Sequence, residues 1–234
     1  MTSICAAAAR NNAGWCASVC RSHGIPNSFG EMAWRSARRM PPYYPDAVTL
    51  HPGAVPADCL PGIDTASPGC SVKDSFAALD LTADGFAELF TAQWIHRPAE
   101  LPAPATPALR PERVSTAARL RDWQAAWHGG DGPPDVFRPA LLDDPSVLVL
   151  AFHDGEDLCG GVILNRGSGL AGLSNLFAAG GSDVAAVWSS AITAAAGHFP
   201  GLPLVGYEHG DDLAHALASG FTVVGPLRIW LRGS

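Results

Sequence analysis

The stretch SVLVLAFHDGEDLCGGVILNR, residues 146–166, limits what this chain can fold into more than any other. Two apolar runs flank the polar turn HDGED, so the backbone must double back as a β-hairpin. The segments around it carry equally plain signals. VSTAARLRDWQAAWHGG is a helix capped by Ser115 or Thr116, buried through Leu120, Trp123 and Trp127, and stopped at Gly129. After the hairpin, GLAGLSNLFAA is a third strand and SDVAAVWSSAITAAAGHF a helix ending near Gly197. PLVGYEH is a fourth strand, DDLAHALASG a short helix and FTVVGPLRIWL a last strand. The order is α-β-β-β-α-β-α-β, a pattern of the α/β (α+β) class.

The front of the chain is less regular. Residues 11–23 read as a helix closed by Gly24 and Pro26, with Trp15, Cys16, Val19 and Cys20 as its apolar stripe. The prolines of RMPPYYPDAVTL enforce an extended path, and AVTL is a strand. Residues 51–69, rich in Pro, Gly and Asp, form a loop. CSVKDSFAALDL (70–81) alternates as a strand, with Val72, Phe76 and Ala78 on one face. FAELFTAQWIHRP (86–98) suits either a helix or a strand, and a hairpin over about 71–96 is expected. AELPAPATPALRPE has a proline every two to four residues and reads as a linker. The expected division is an N-terminal lobe over 1–98, a linker over 99–111 and a C-terminal lobe over 112–234.

With 47% hydrophobic and 16% charged residues in 234, the chain is globular and can bury a core. A formal net charge of −7 argues against nucleic acid as a partner. Fourteen of the fifteen basic residues are Arg and only Lys73 is lysine, a bias that points to a GC-rich bacterial genome. No apolar run approaches the length that crosses a bilayer, so no membrane association is expected. MTSICAAAAR lacks the basic start and apolar length of a signal peptide, so the expected compartment is the cytoplasm. Its six cysteines are then expected to be reduced. Cys16, Cys20 and His23 imitate half a metal site, but no fourth ligand is near in sequence, and core packing is the better reading. HDGED has metal-ligand residue types and is read as a solvated turn. No metal is expected. No G-x-S-x-G, H-E-x-x-H, Walker or Rossmann pattern occurs.

The hairpin VLVLAFHDGEDLCGGVILN with Gly160-Gly161 opening its second strand, the strand-loop-helix GLSNLFAAGGSDVAAVWSSAI, and LVGYEHGDDLAHALASGFTVVGPLRIWL with its Gly220-Phe221 come at informative spacings. Together, over roughly residues 112–233, they resemble the second part of the GNAT (GCN5-related N-acyltransferase) fold. The resemblance implies a mixed central sheet flanked by helices, with the first hundred residues a degenerate half-copy of the same fold. It also implies acyl transfer from a thioester, acetyl-CoA or another acyl-CoA, to a small-molecule amine. A neutral amine attacks, a backbone N–H steadies the developing oxyanion and the leaving thiolate takes a proton.

In that family the loop after the central strand usually reads Arg/Gln-x-x-Gly-x-Gly/Ala and wraps a pyrophosphate at a helix N-terminus. Leu176, Phe177 and Ala178 at the end of the strand, with Gly180, Gly181 and Ser182 of the corresponding loop, are the candidate cofactor-binding residues. No Arg or Gln is present, and Asp183 puts a negative charge where phosphates lie. Two readings stand for this loop, a coenzyme site or a Ser/Asp helix cap. An acyl carrier protein is a second donor that the departure leaves open.

Glu208 at the end of the fourth strand is a candidate general base and His209 the neighbouring proton carrier; Tyr207, the third catalytic candidate, alternates with Glu208 and is expected on the other face with its hydroxyl at an edge. The bland reading of the trio is a polar strand end and the cap of the next helix. Many relatives place a Tyr four residues before the closing Gly-Phe to protonate the leaving thiol; this chain has Ala216 there, with His215 beside it. Ser174 and Asn175 lie on the strand that lines the donor and acceptor channel in the family. Tyr43, Tyr44, Lys73, Asp74 and Trp94 are candidates to wall an acceptor pocket between the lobes, although Lys73-Asp74 reads better as a surface or strand-edge pair. The main reading is an N-acyltransferase acting as a monomer; the alternative is a non-catalytic GNAT-like binding or regulatory protein that has lost its coenzyme.

Overall fold

The computed structural model describes residues 3–104, 109–130, 132 and 134–233. Positions 105–108 of the expected linker lie outside the described residues. In chain order the strands are β1 (Asn27–Phe29), β2 (Ala33–Ser36), β3 (Ala47–Thr49), β4 (Ser71–Asp74), β5 (Phe86–Arg97) and β6 (Arg110–Arg113). They continue with β7 (Val147–Asp154), β8 (Asp157–Gly167), β9 (Leu170–Ala178), β10 (Leu204–Glu208) and β11 (Thr222–Arg232). The helices are α1 (Ile4–Ser22), α2 (Pro56–Cys59), α3 (Ala117–His128), α4 (Val184–His198) and α5 (Gly210–Ala218).

The α-β-β-β-α-β-α-β order read from the C-terminal sequence is present element for element, from α3 to β11. Local chemistry explains why. Thr116 accepts from the Arg119 amide at the start of α3, and Gly129 ends it with φ 70°. Trp123 is buried and donates Nε1–H to the Leu150 carbonyl. Gly161 lies under that indole, and a Cβ there would collide with Trp123 Nε1 and the Leu150 oxygen, so the glycine is what lets α3 seat on the hairpin.

All eleven strands form one mixed sheet in the order β1-β2-β3-β4-β11-β5-β10-β9-β8-β7-β6. The expected hairpin over 71–96 does not form. β11 lies between β4 and β5 and pairs antiparallel with both. β5 in turn lies between β11 and β10, so strands from the two ends of the chain alternate across the middle of the sheet. β4 itself ends at Asp74, whose carboxylate accepts from the Phe76 and Leu79 amides and turns the chain out of the sheet after four residues. The exchanged strands match each other in sequence. Gly85-Phe86 opens β5 and Gly220-Phe221 precedes β11, both glycines have positive φ, both phenylalanines are buried, and both strands end in arginine. The end of the expected linker also joins the sheet, as β6 on the edge beside β7, where Pro111 needs no donor on its open side.

The helix expected over 11–23 begins earlier, at Ile4, with Ser3 as its cap. It docks on the sheet through Asn11, whose Nδ2–H groups donate to the Gly167 and Leu170 carbonyls. All six cysteines are free thiols, five of them buried. Among the described residues no three His, Cys, Asp or Glu side chains gather as a metal site, and no helix is long and apolar enough to cross a membrane.

Candidate functional site

The site begins where two parallel strands part. β10 pairs with β9 only at Leu204↔Ala171 and Val205↔Gly172. β8 and β9 shift register between Gly161 and Ile163, and Asn175 takes a positive φ of 55°. β9 is buried as far as Leu173 and half-buried from Ser174 onward. The gap between Ser174–Leu176 on one side and Tyr207–Glu208 on the other opens into a cavity of about 190 Å³.

Three other parts of the chain close this cavity. α1 supplies Asn12, Trp15 and Cys16, β4 supplies Lys73, and the loop between β2 and β3 supplies Tyr43, Tyr44 and Pro45. The loop is held by buried Asp46, which accepts from the Met40 and Ser71 amides and pairs with Arg39. Tyr44 is packed edge-on against Trp15 and donates its hydroxyl proton to Asn175 Oδ1 at 2.9 Å. Burial holds the Tyr44 phenol well above its ordinary pKa, so it stays a donor. Burial likewise pushes the Cys16 thiol up to about 11, which removes it as a nucleophile near neutral pH.

A second, wider cleft of about 630 Å³ adjoins the first and shares Tyr43, Tyr44, Lys73, Tyr207 and Glu208 with it. Its remaining walls are mainly apolar, with Leu89 and Phe90 from β5 and Ile229 and Leu231 from β11. The strand exchange therefore builds this cleft, because β5 and β11 come from opposite ends of the chain.

The expected site residues fall into two groups. Ser174, Asn175, Leu176, Tyr43, Tyr44, Tyr207 and Glu208 share the smaller cavity. Glu208 is half-buried at the end of β10, and burial, with Asp212 of α5 adding like charge, pushes its carboxyl up to about 8. Tyr207 packs edge-on against Trp94 and lies 4.1 Å beneath the Lys73 ammonium. His209 lies outside the smaller cavity: it is exposed at the N-cap position of α5, rests against Phe90 and lines the wider cleft.

The second group surrounds the loop before α4. Phe177 packs edge-on against Trp123, while Leu176 and Ala178 lean on the core under α4. Gly180 and Gly181 both take positive φ and have open space where a Cβ would stand. The Ser182 amide turns back to the Ala179 carbonyl. Asp183 is the N-cap and accepts the Ala185 amide at 2.9 Å, so its carboxylate holds a donor that an anionic ligand would otherwise take. Ala216 is fully buried against the core and His215 is exposed, so neither supplies an acid at the gap.

Lys73 and Asp74 were expected at the surface or a strand edge, and both are buried, at 3% and 1% exposure. β11, not expected there, pairs beside β4 so that the strand is no edge, and Asn12 of α1 and the Tyr207 ring enclose the Lys73 ammonium. Lys73 Nζ donates to Asn12 Oδ1 at 2.8 Å. Asn12 was not singled out in the sequence, and Trp15 and Cys16 were placed in a helix stripe and not at a pocket, yet all three line the cavity.

No family model matches the chain, and no curated protein matches it in sequence. Solved structures do match it. A GCN5-related N-acetyltransferase from Kribbella flavida superposes over 100% of this chain and 97% of its own with a TM-score of 0.66 at 14% identity. A protein assigned to the GNAT acetyltransferase family from Novosphingobium aromaticivorans matches over 93% of this chain and 97% of its own, with a TM-score of 0.54 at 12% identity. A conserved Staphylococcus epidermidis protein of unknown function covers 71% of this chain and 73% of its own, with a TM-score of 0.56 at 10% identity. At these identities the likeness is one of fold.

Proposed function

We propose that this chain, which has the fold of the GCN5-related N-acetyltransferases, is an N-acyltransferase that moves an acyl group from an acyl-CoA thioester to a small-molecule amine. The observation that carries the reading is the parting of β9 and β10 beside Glu208. A thioester laid in that gap meets the edge of β9 that β10 leaves unpaired, and N–H groups facing that edge would steady its oxygen as charge develops. The amine arrives from the side of Tyr44 and Lys73, forms the C–N bond and expels the thiolate as the C–S bond breaks. Glu208 receives the amine proton, through water, and a carboxyl of pKa about 8 is matched to that exchange near neutral pH. Tyr207 stands in for the missing tyrosine of α5 and returns a proton to the sulfur. Gly180, Gly181 and Ser182 face the donor's pyrophosphate.

Two observations favour a second reading. Asp183 already caps α4 and Ala216 sits where many relatives carry their acid. Together these favour a donor gripped mainly by its pantetheine arm, as on a carrier protein, or a binding protein without turnover. The deciding experiment is the melting temperature with millimolar acetyl-CoA, longer acyl-CoAs and free CoA. A ligand at ~100 times its Kd adds ~2.7 kcal/mol to a folded state that alone binds it. A shift with acyl-CoA, followed by product formation in an amine screen, supports the transferase. The absence of any shift with CoA thioesters, together with a shift on adding acylated carrier protein, moves the donor to the carrier. Absence of both favours the non-catalytic reading.

A further inference from the structure

Lys73 is the only lysine in the chain, and it is 3% exposed. An ammonium carries three N–H donors. Among the described residues, Asn12 Oδ1 is its one hydrogen-bond acceptor, the Tyr207 ring lies 4.1 Å away, and no carboxylate forms an ion pair with it. The adjacent Asp74 is occupied with the Phe76 and Leu79 amides. A buried charge left this far from compensation opposes folding, and an apolar side chain of the same length would serve the packing better. Yet the ammonium lines both the cavity at the strand gap and the wider apolar cleft.

The cavity offers further neutral donors to the same guest, the Ser174 hydroxyl and the Asn175 amide, and it has no arginine. One ammonium with neutral donors suits a carboxylate; phosphate recognition more commonly calls on the arginine fork. A volume of about 190 Å³ is about a dozen times what one buried water needs. The apolar cleft lined by Leu89, Phe90, Ile229 and Leu231 continues from it.

We infer that Lys73 is the anchor for a carboxylate on the acceptor, and that the acceptor is an amino acid with an apolar side chain, its carboxylate on Lys73 and its side chain in the cleft between β5 and β11. This rests on the proposed acyl transfer for the fate of the amine, but the binding step stands apart from turnover. Lys73 touches substrate without taking part in bond making, so it sets specificity.

The test is binding before catalysis. Melting curves and titration calorimetry of the full chain compare leucine and phenylalanine with isopentylamine and phenethylamine, which lack only the carboxylate, and with glycine, which lacks the side chain. The expected result is at least tenfold tighter binding of the two amino acids than of either the matched amines or glycine. Lys73→Met should abolish that preference while melting at or above the wild-type temperature, whereas a purely structural lysine would leave the variant less stable. Because the comparison of ligands is made on the wild-type protein, it holds even if the variant fails to fold. Equal binding of amines and amino acids overturns the inference, as does an unchanged preference in a folded Lys73→Met. So does a Lys73-dependent preference for succinyl-CoA over acetyl-CoA with no dependence on the amino acid, which would put the carboxylate on the donor. Acyl transfer to plain amines alone would sink this inference and keep the transferase; amino-acid binding with no acyl-CoA response would do the reverse.

Discussion

Glu208 couples the proposed chemistry to stability. Its carboxyl is raised from 4.5 to about 8, so the fold favours the protonated form. The stability this gives is complete below about pH 4.5 and is lost as pH rises through about 8. Glu208→Gln keeps a neutral side chain at every pH. The variant should match wild type in melting temperature near pH 4.5 and exceed it above pH 8, by about 2–4 °C for each kcal/mol of relief. Its turnover should fall by about 10²–10⁴-fold with donor affinity nearly unchanged. Equal melting temperatures at pH 9 would show that Glu208 is better solvated than its position implies; equal turnover would remove it as the base. The position of Glu208 at a strand end was legible in the sequence, because an apolar run stopped there. Its neighbours were legible only in part. Tyr43 and Tyr44 were placed at a pocket, but burial of Lys73 depends on a strand some 150 residues later, and no local pattern carries that information.

At the scale of elements, the C-terminal strands and helices were legible because each has its own cap, stripe or turn, as Thr116, Trp123 and Gly129 do for α3. The loop before α4 shows where such reading stops: the residues that cap a helix also meet an anion, and only geometry assigns them. The geometry makes Asp183 the cap. Asp183→Asn retains a capping oxygen of similar strength and removes one charge near the helix terminus, an effect of about 0.3–1 kcal/mol. If the acyl-CoA pyrophosphate approaches Gly180 and Gly181, the substitution should tighten Kd by about 2–5-fold, more so at low salt. An unchanged Kd at low ionic strength would place the pyrophosphate elsewhere. The junction of α3 with the hairpin is tested through Gly161, where a Cβ would strike the Trp123 indole and the Leu150 carbonyl. Gly161→Ala should cost about 1–3 kcal/mol, read from urea denaturation, with little change in the slope. A neutral result would mean that the indole can withdraw without losing its bond to Leu150.

For the molecule as a whole, the exchange of β5 and β11 is the feature that sequence periodicity could not show. Periodicity identified the closing strand and left FAELFTAQWIHRP between helix and strand, but partner choice is a matter of pairing over long separations. β5 and β11 pair along ten registered positions, and each also closes a sheet edge belonging to the other end of the chain. Removing either one leaves two interior strands with open edges and strips Leu89 and Phe90, or Ile229 and Leu231, from the cleft. A fragment of residues 112–234, although it contains the stretch that resembles a GNAT lobe, should therefore aggregate or melt without a cooperative transition when expressed alone. Fragments 1–104 and 109–234 refolded together should recover one sharp transition and, with it, ligand binding in the cleft. Size-exclusion chromatography with circular-dichroism melting distinguishes the outcomes. A monomeric 112–234 fragment with a cooperative melt would mean that the second half stands without its borrowed strand, and the exchange would then serve to shape the cleft and not to hold the sheet.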